Sequence, residues 1–128
     1  MIHYLYTTFK HANDTGCPII RPMWYEFPKD ISTFELDRQF MFGDSLLVAP
    51  KIFPARADLH APVATSVYLP EASNWFYYYS GKLVEGSSKM QSMLIPELEQ
   101  GVWVKEGSII PLLDFEPSRG SLLQAIDD

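Results

Sequence analysis

The sequence of 128 residues holds one cysteine, Cys17, so no disulfide can form within it and cysteine usage is silent about the compartment. Cys17 is expected as a small buried side chain. Basic runs are missing: ten Lys and Arg face sixteen Asp and Glu, and the acidic residues behind the net charge of -6 are scattered along the chain. Neither a nucleic-acid surface nor an anionic membrane is therefore expected as a partner. No apolar stretch is long enough to cross a bilayer, and Met1 is not followed by a charged segment and hydrophobic core of signal-peptide type. Were the protein exported, the signal would lie outside this sequence. His3, His11 and His60 share no metal-like spacing with one another or with Cys17, so no metal ligand and no cofactor is assigned. A glycine-rich phosphate loop, a Gly-x-Ser-x-Gly elbow and a convincing Ser/His/Asp or Cys/His set are all missing, which leaves phosphoryl transfer and nucleophilic hydrolase chemistry without support.

What is present belongs to a packed protein: 47% hydrophobic and 14% aromatic residues argue against disorder, while ten prolines and seven glycines imply many turns. From Ile2, the positions Leu5, Tyr6, Phe9 and Ala12 recur at helical spacing and predict an amphipathic helix with that stripe buried. No N-cap precedes it, whereas Asn13-Asp14-Thr15-Gly16 and Pro18 mark its end. Asn13-Asp14-Thr15 is also a glycosylation acceptor pattern, informative only in the secretory pathway. Ile19-Ile20 then read as a strand covered on both faces, of the kind usual in parallel sheets, closed by Arg21-Pro22 and followed by the aromatic exit loop Trp24 to Pro28. Lys29 to Gly43 reads as a short helix with Ser32 and Glu35 in capping-box spacing.

Beyond Gly43 the pattern changes. Leu46 to Ala49, Thr65 to Leu69, Trp75 to Tyr79, Met90 to Ile95, Val102 to Lys105 and Ile109 to Leu113 are short β-prone runs separated by turn residues. The fold class is thus α/β followed by all-β and antiparallel, with the boundary near Gly43, giving residues 1–43 and 44–128 as the two parts. The loop Phe53 to Pro62 is the expected mobile segment, and Ser121 to Ile126 looks like a further strand being entered. Both chain ends are abrupt, as in a piece of something longer.

Trp75, Tyr77 and Tyr79 alternate onto one face and Phe76 and Tyr78 onto the other, so the run could stack sugar rings or line a core; the core is the stronger expectation. Asp14, Glu26, Asp30, Glu35, Asp37 and Asp44 supply carboxylates of the type glycoside hydrolysis pairs, but spacing alone brings no two of them together. Most are expected at the surface or in caps.

The wording of YLYTTFKHANDTGCPIIRPMWYEFPKDISTFELDRQFMFGDSLLVAPKI resembles the segment of family 31 glycoside hydrolases, the α-glucosidases and their relatives, in which the last strand of a (β/α)8 barrel gives way to a C-terminal β-domain. VYLPEASNWFYYYSGK is similar to the family's Tyr-Leu-Pro…Trp-Tyr-Asp…Thr-Gly hairpin, GVWVKEGSIIPLL to its Val-Arg-Gly-Gly-Ser-Ile-Ile-Pro strand pair, and LLQAIDD to its next strand. Departures fall at Tyr77, where Asp is expected, at Lys105-Glu106, where Arg-Gly is expected, and in the longer stretch Ala55 to Ala64.

The resemblance implies that residues 1–43 end a TIM barrel and that residues 44–128 begin an antiparallel β-sandwich, both partial. It implies retaining hydrolysis of α-glucosides or oligosaccharides by two aspartates on earlier barrel strands, in the secretory pathway or elsewhere. Neither aspartate motif is present, so no catalytic, substrate-binding or metal residue is assigned to this chain, and by itself it should not catalyse. Arg21, near the C-terminal end of the barrel strand, is the residue to watch: it would either order neighbouring carboxylates or make a structural ion pair. The alternative is a free-standing β-rich carbohydrate-binding or interaction module using the aromatic run.

Overall fold

The computed structural model describes residues 1–52 and 62–112. It opens with helix α1, Ile2–Thr15, which has no side-chain N-cap and ends at Gly16 in the left-handed conformation, φ 76°. The extent agrees with the sequence, but the face does not. Tyr4 and Thr8 are buried, whereas Tyr6 and Phe9 are 59% and 51% exposed. The Tyr4 hydroxyl donates to the Phe42 carbonyl at 2.7 Å and its ring meets Phe42 edge-on, so a polar-tipped aromatic and a threonine seat the helix.

Strand β1, Ile20–Arg21, pairs antiparallel with β2, Phe40–Phe42, in contrast to the parallel strand expected. Nor is it covered on both faces: Ile20 is 63% exposed and Arg21 is buried. Between them lie the four-residue helix α2, Met23–Glu26, and a single 3-10 turn, Ile31–Thr33, where the sequence predicts a helix over 29–43. Asp30 caps that turn by accepting from the Ser32 N–H at 3.1 Å. The helix goes no further because Phe40-Met41-Phe42 are drawn into the sheet between β1 and β3, Leu46–Ala49. The β2–β3 turn contains Gly43, the expected boundary, so one sheet runs through it.

The remaining strands are β4, Val63–Tyr68; β5, Trp75–Tyr77; β6, Leu83–Val84; β7, Met90–Ile95; and β8, Gly101–Lys105. One sheet has the order β1-β2-β3-β8-β5-β6, the other is β4-β7, and every described pairing is antiparallel. Register fixes the two faces of the large sheet. Met41, Leu47, Trp103 and Tyr77 lie opposite one another in a row, and with Trp75 they face Val67 and Ile95 of the small sheet. Phe42, Leu46 and Val104 form the row beneath α1, where Tyr4, Leu46 and Val102 make a second cluster. Trp75, Trp103, Met23, Met41, Leu47 and Ile95 are fully buried, and each such side chain contributes about 1.5–3 kcal/mol of transfer free energy. Residues 109–112 are not a strand, and the expectations over 53–61 and 121–126 lie outside the described residues.

Candidate functional site

Polar side chains converge where β1 leaves the sheet. Gly16 and Pro18 turn the chain from α1 into β1, and Pro22 begins α2 at once, so residues 17–26 fold back on themselves. Arg21 is 4% exposed at the centre. Its Nε donates to the Pro18 carbonyl at 2.6 Å, Nη1 is paired with Glu26 Oε1, and the guanidinium lies over the Tyr25 ring, 5.5 Å from its centroid. A buried guanidinium tolerates its desolvation only with such partners. Cys17, half-buried rather than buried, is held below the usual thiol range by the hydroxyls of Thr15 and Tyr25 and by the Arg21 charge.

A cleft of about 470 Å³ opens on the other side of Arg21, between α1 and the β2–β3 and β8 turns. His11, Asp44, Lys105 and Glu106 reach it. Both carboxylates are already hydrogen-bonded: Ser45 Oγ donates to Asp44 at 2.6 Å, and Glu106 accepts from Asn74 at 2.9 Å. The hydrogen bond from Ser45 and the charges of Lys105 and Arg21 outweigh burial and hold Asp44 below the ordinary carboxylate range. That direction suits a permanent anion and opposes a general acid, which must hold its proton near neutral pH.

A second cleft, about 540 Å³, brings Glu26, Asp30 and Glu71 together, which linear sequence left open. Each carboxylate has a structural partner. Glu26 holds Arg21, Asp30 accepts from the Tyr68 hydroxyl at 2.7 Å and from Ser32, and Glu71 accepts from Ser88 at 2.7 Å. Asp14 is tied to Lys10 at 2.7 Å on α1, and Glu35 and Asp37 are exposed. Among the described residues no cluster of His, Cys, Asp or Glu could hold a metal ion.

The aromatic run divides as a core strand does. Trp75 is fully buried with its indole N–H donating to the Pro70 carbonyl at 3.2 Å. The Tyr77 hydroxyl donates to Glu99 at 2.7 Å, and burial together with that carboxylate pushes its pKa well up. Only Tyr79 of the three same-face rings is open to solvent, so the run offers no row of rings to a sugar.

Residues 16–110 match the glycosyl hydrolase family 31 C-terminal domain. The chain belongs to glycoside hydrolase family 31. It is 39% identical over 114 residues to a probable glucan 1,3-alpha-glucosidase of Arabidopsis thaliana, the alignment covering 89% of this chain and 12% of that protein. Among solved structures, a dextranase of this family from Flavobacterium johnsoniae, complexed with glucose, superposes with a TM-score of 0.72 at 39% identity over 84% of this chain and 12% of its own. A family 31 alpha-xylosidase from a soil metagenome, complexed with xylose, gives 0.70 at 28% identity over 82% and 14%. The chain thus spans about one-eighth of the length of these relatives, and the family assignment read from Arg21-Pro22…Glu26-Phe27-Pro28 and Gln39-Phe40…Pro50 holds.

Proposed function

We propose that this chain is the end of the catalytic barrel and the start of the proximal β-domain of an α-glucosidase-like enzyme. The sheet that runs through Gly43 and the family match from residue 16 support a boundary nearer residue 16 than Gly43, with α1 on the barrel side and β1 onward on the β-domain side. The longer enzyme would hydrolyse the O-glycosidic bonds of α-glucosides or oligosaccharides with retention of configuration, using two aspartates on earlier barrel strands. In that scheme this chain supplies no acid, base or nucleophile, and alone it does not catalyse.

The observation that carries the reading is the family match over most of a chain that spans only one-eighth of its relatives. The carboxylates support it: Glu26, Asp30 and Glu71 meet in one cleft but each is engaged in holding a loop. A retaining pair needs two carboxyl groups about 5 Å apart, one free to attack and one protonated. The burial of Trp75 counts against the free-standing sugar-binding module, whose platform it would have been.

The test is the intact mass of the native gene product, followed by its activity on aryl α-glucosides with the released anomer read by proton NMR. A product several times longer that releases the α-anomer is expected. A product of 128 residues, or a longer one that leaves α-glucosides intact, would overturn the proposal.

A further inference from the structure

The chain has two asparagines, Asn13 and Asn74, and only the second is tied into the fold. Asn74 Nδ2 donates to Glu106 at 2.9 Å. Asn13, in the last turn of α1, is exposed, and its Nδ2 reaches only the Asp14 carboxylate, at 3.5 Å, beyond the ordinary length of such a bond. That carboxylate already accepts from Lys10 at 2.7 Å. Nor does the helix need an asparagine there, since Asn is a poor helix former and other groups close the end. The Gly16 N–H donates to the Ala12 carbonyl at 2.8 Å, and the Thr15 hydroxyl donates to the His11 carbonyl at 2.7 Å while accepting from the Cys17 N–H at 3.3 Å. Asn13 also stands one turn past Phe9 on the face that carries Tyr6, so the apolar stripe gives way to an amide at the end of the helix. Whatever covers the stripe stops short of Asn13.

We propose that Asn13 carries an N-linked oligosaccharide, and that the enzyme is accordingly made in the secretory pathway. Asn13-Asp14-Thr15 meets the chemical requirement, with a hydroxyl two residues after the amide and no proline between them. In the transfer, Asn13 Nδ2 attacks the anomeric carbon of an oligosaccharide carried on a polyprenyl pyrophosphate. The carbon–nitrogen bond forms as the bond from that carbon to the pyrophosphate oxygen breaks, the amide gives up one proton, and the lipid pyrophosphate leaves. A glycan is bulky and polar, so the folded chain must leave its attachment point in solvent. Asn13 meets that condition together with Thr15, Gly16 and Pro18, all of them exposed. Asn74 is followed by Trp75-Phe76, lacks the hydroxyl and should stay unmodified.

The native gene product, purified from its own source, is treated with a peptide-N-glycosidase in water enriched in heavy oxygen and mapped by mass spectrometry. Residue 13 should be recovered as heavy-labelled aspartate and Asn74 as asparagine. Thr15→Ser, which keeps the hydroxyl and its two bonds, should retain the label, and Thr15→Val should lose it. Unlabelled Asn13 recovered in full from a longer, active α-glucosidase overturns the inference and leaves the proposed function standing. Labelled residue 13 on a product that leaves α-glucosides intact does the reverse. Label that enters equally without the glycosidase is deamidation alone, and label that persists in Thr15→Val is not sequence-directed glycosylation; either result overturns the inference.

Discussion

The side-chain amide of Gln39 pairs with the backbone of Tyr68 in both directions, Nε2 donating to the Tyr68 carbonyl at 2.7 Å and the Tyr68 N–H donating to Oε1 at 2.8 Å. Gln39 stands just before β2 of the large sheet and Tyr68 ends β4 of the small one, so a side chain supplies the rung that no strand provides between them. Both partners are buried, and the Tyr68 hydroxyl continues the link to Asp30. The two sheets are therefore joined by polar contacts as well as by the core.

Replacing Gln39 by Leu keeps the volume and removes both bonds, leaving a buried N–H and a buried carbonyl without partners. At about 1–3 kcal/mol for each of the two groups left unsatisfied, the variant should lose about 2–6 kcal/mol. The midpoint of urea denaturation measures it. A loss below about 1 kcal/mol would mean that water or a shifted strand takes over both groups.

Gly43 makes the β2–β3 turn with φ 63°, and a Cβ there would sit 2.3 Å from the Tyr4 hydroxyl. Gly81 has φ 66° with open space around it. Alanine at Gly81 should cost only the backbone strain, about 1–2 kcal/mol, whereas alanine at Gly43 must also displace the ring that seats α1. Thermal melts of the two variants give the comparison. Equal losses would show that Tyr4 moves aside freely.

The strands Leu46–Ala49 and Met90–Ile95 were legible to the residue, because each is a β-prone run entered from turn residues and closed by a proline, Pro50 and Pro96. The helical reading of 29–43 failed because its capping signal was local, whereas Phe40–Phe42 answered to partners on β1 and β3. The α1 stripe was expected to be buried, yet Tyr6 and Phe9 are exposed and Tyr4 and Thr8 seat the helix: periodicity reports an apolar face but not which side of the helix meets the sheet. Polar geometry was the least legible. Glu26 is five residues from Arg21, and only the turn of α2 brings their side chains together; Glu71 and Asp30 line one cleft from separate loops. The family, by contrast, was carried by short runs of specific residues and needed no geometry.

The Arg21–Glu26 pair separates a structural role from an ordering one. Glu26→Gln leaves a buried guanidinium without its counter-charge and should cost about 3–5 kcal/mol. Arg21→Lys keeps a charge but loses the bond to Pro18 and the planar contact with Tyr25, so a smaller loss is expected. In a complete enzyme, an Arg21→Lys variant with wild-type kcat per folded molecule and a lowered Tm supports a structural pair. A reduced kcat at unchanged KM, with folding intact, supports the ordering of carboxylates proposed for this position. Unchanged rate and unchanged folding would refute both.

Asp44 gives a pH dependence with a definite sign. Its folded pKa is held below the unfolded value of about 3.9, first by the Ser45 hydroxyl and then by Lys105 and Arg21. The anion is thus favoured in the folded state, and the stabilisation is fully present above the unfolded pKa and lost as the pH falls through the lower folded one. Asp44→Asn should accordingly be less stable than the parent near neutral pH, with the difference shrinking once the pH drops below about 4. Urea melts of the two proteins across the acid range decide the matter: a difference that stays constant into strong acid would mean that the folded pKa of Asp44 is not lowered, and that neither the Ser45 hydroxyl nor the charges of Lys105 and Arg21 favour its anion.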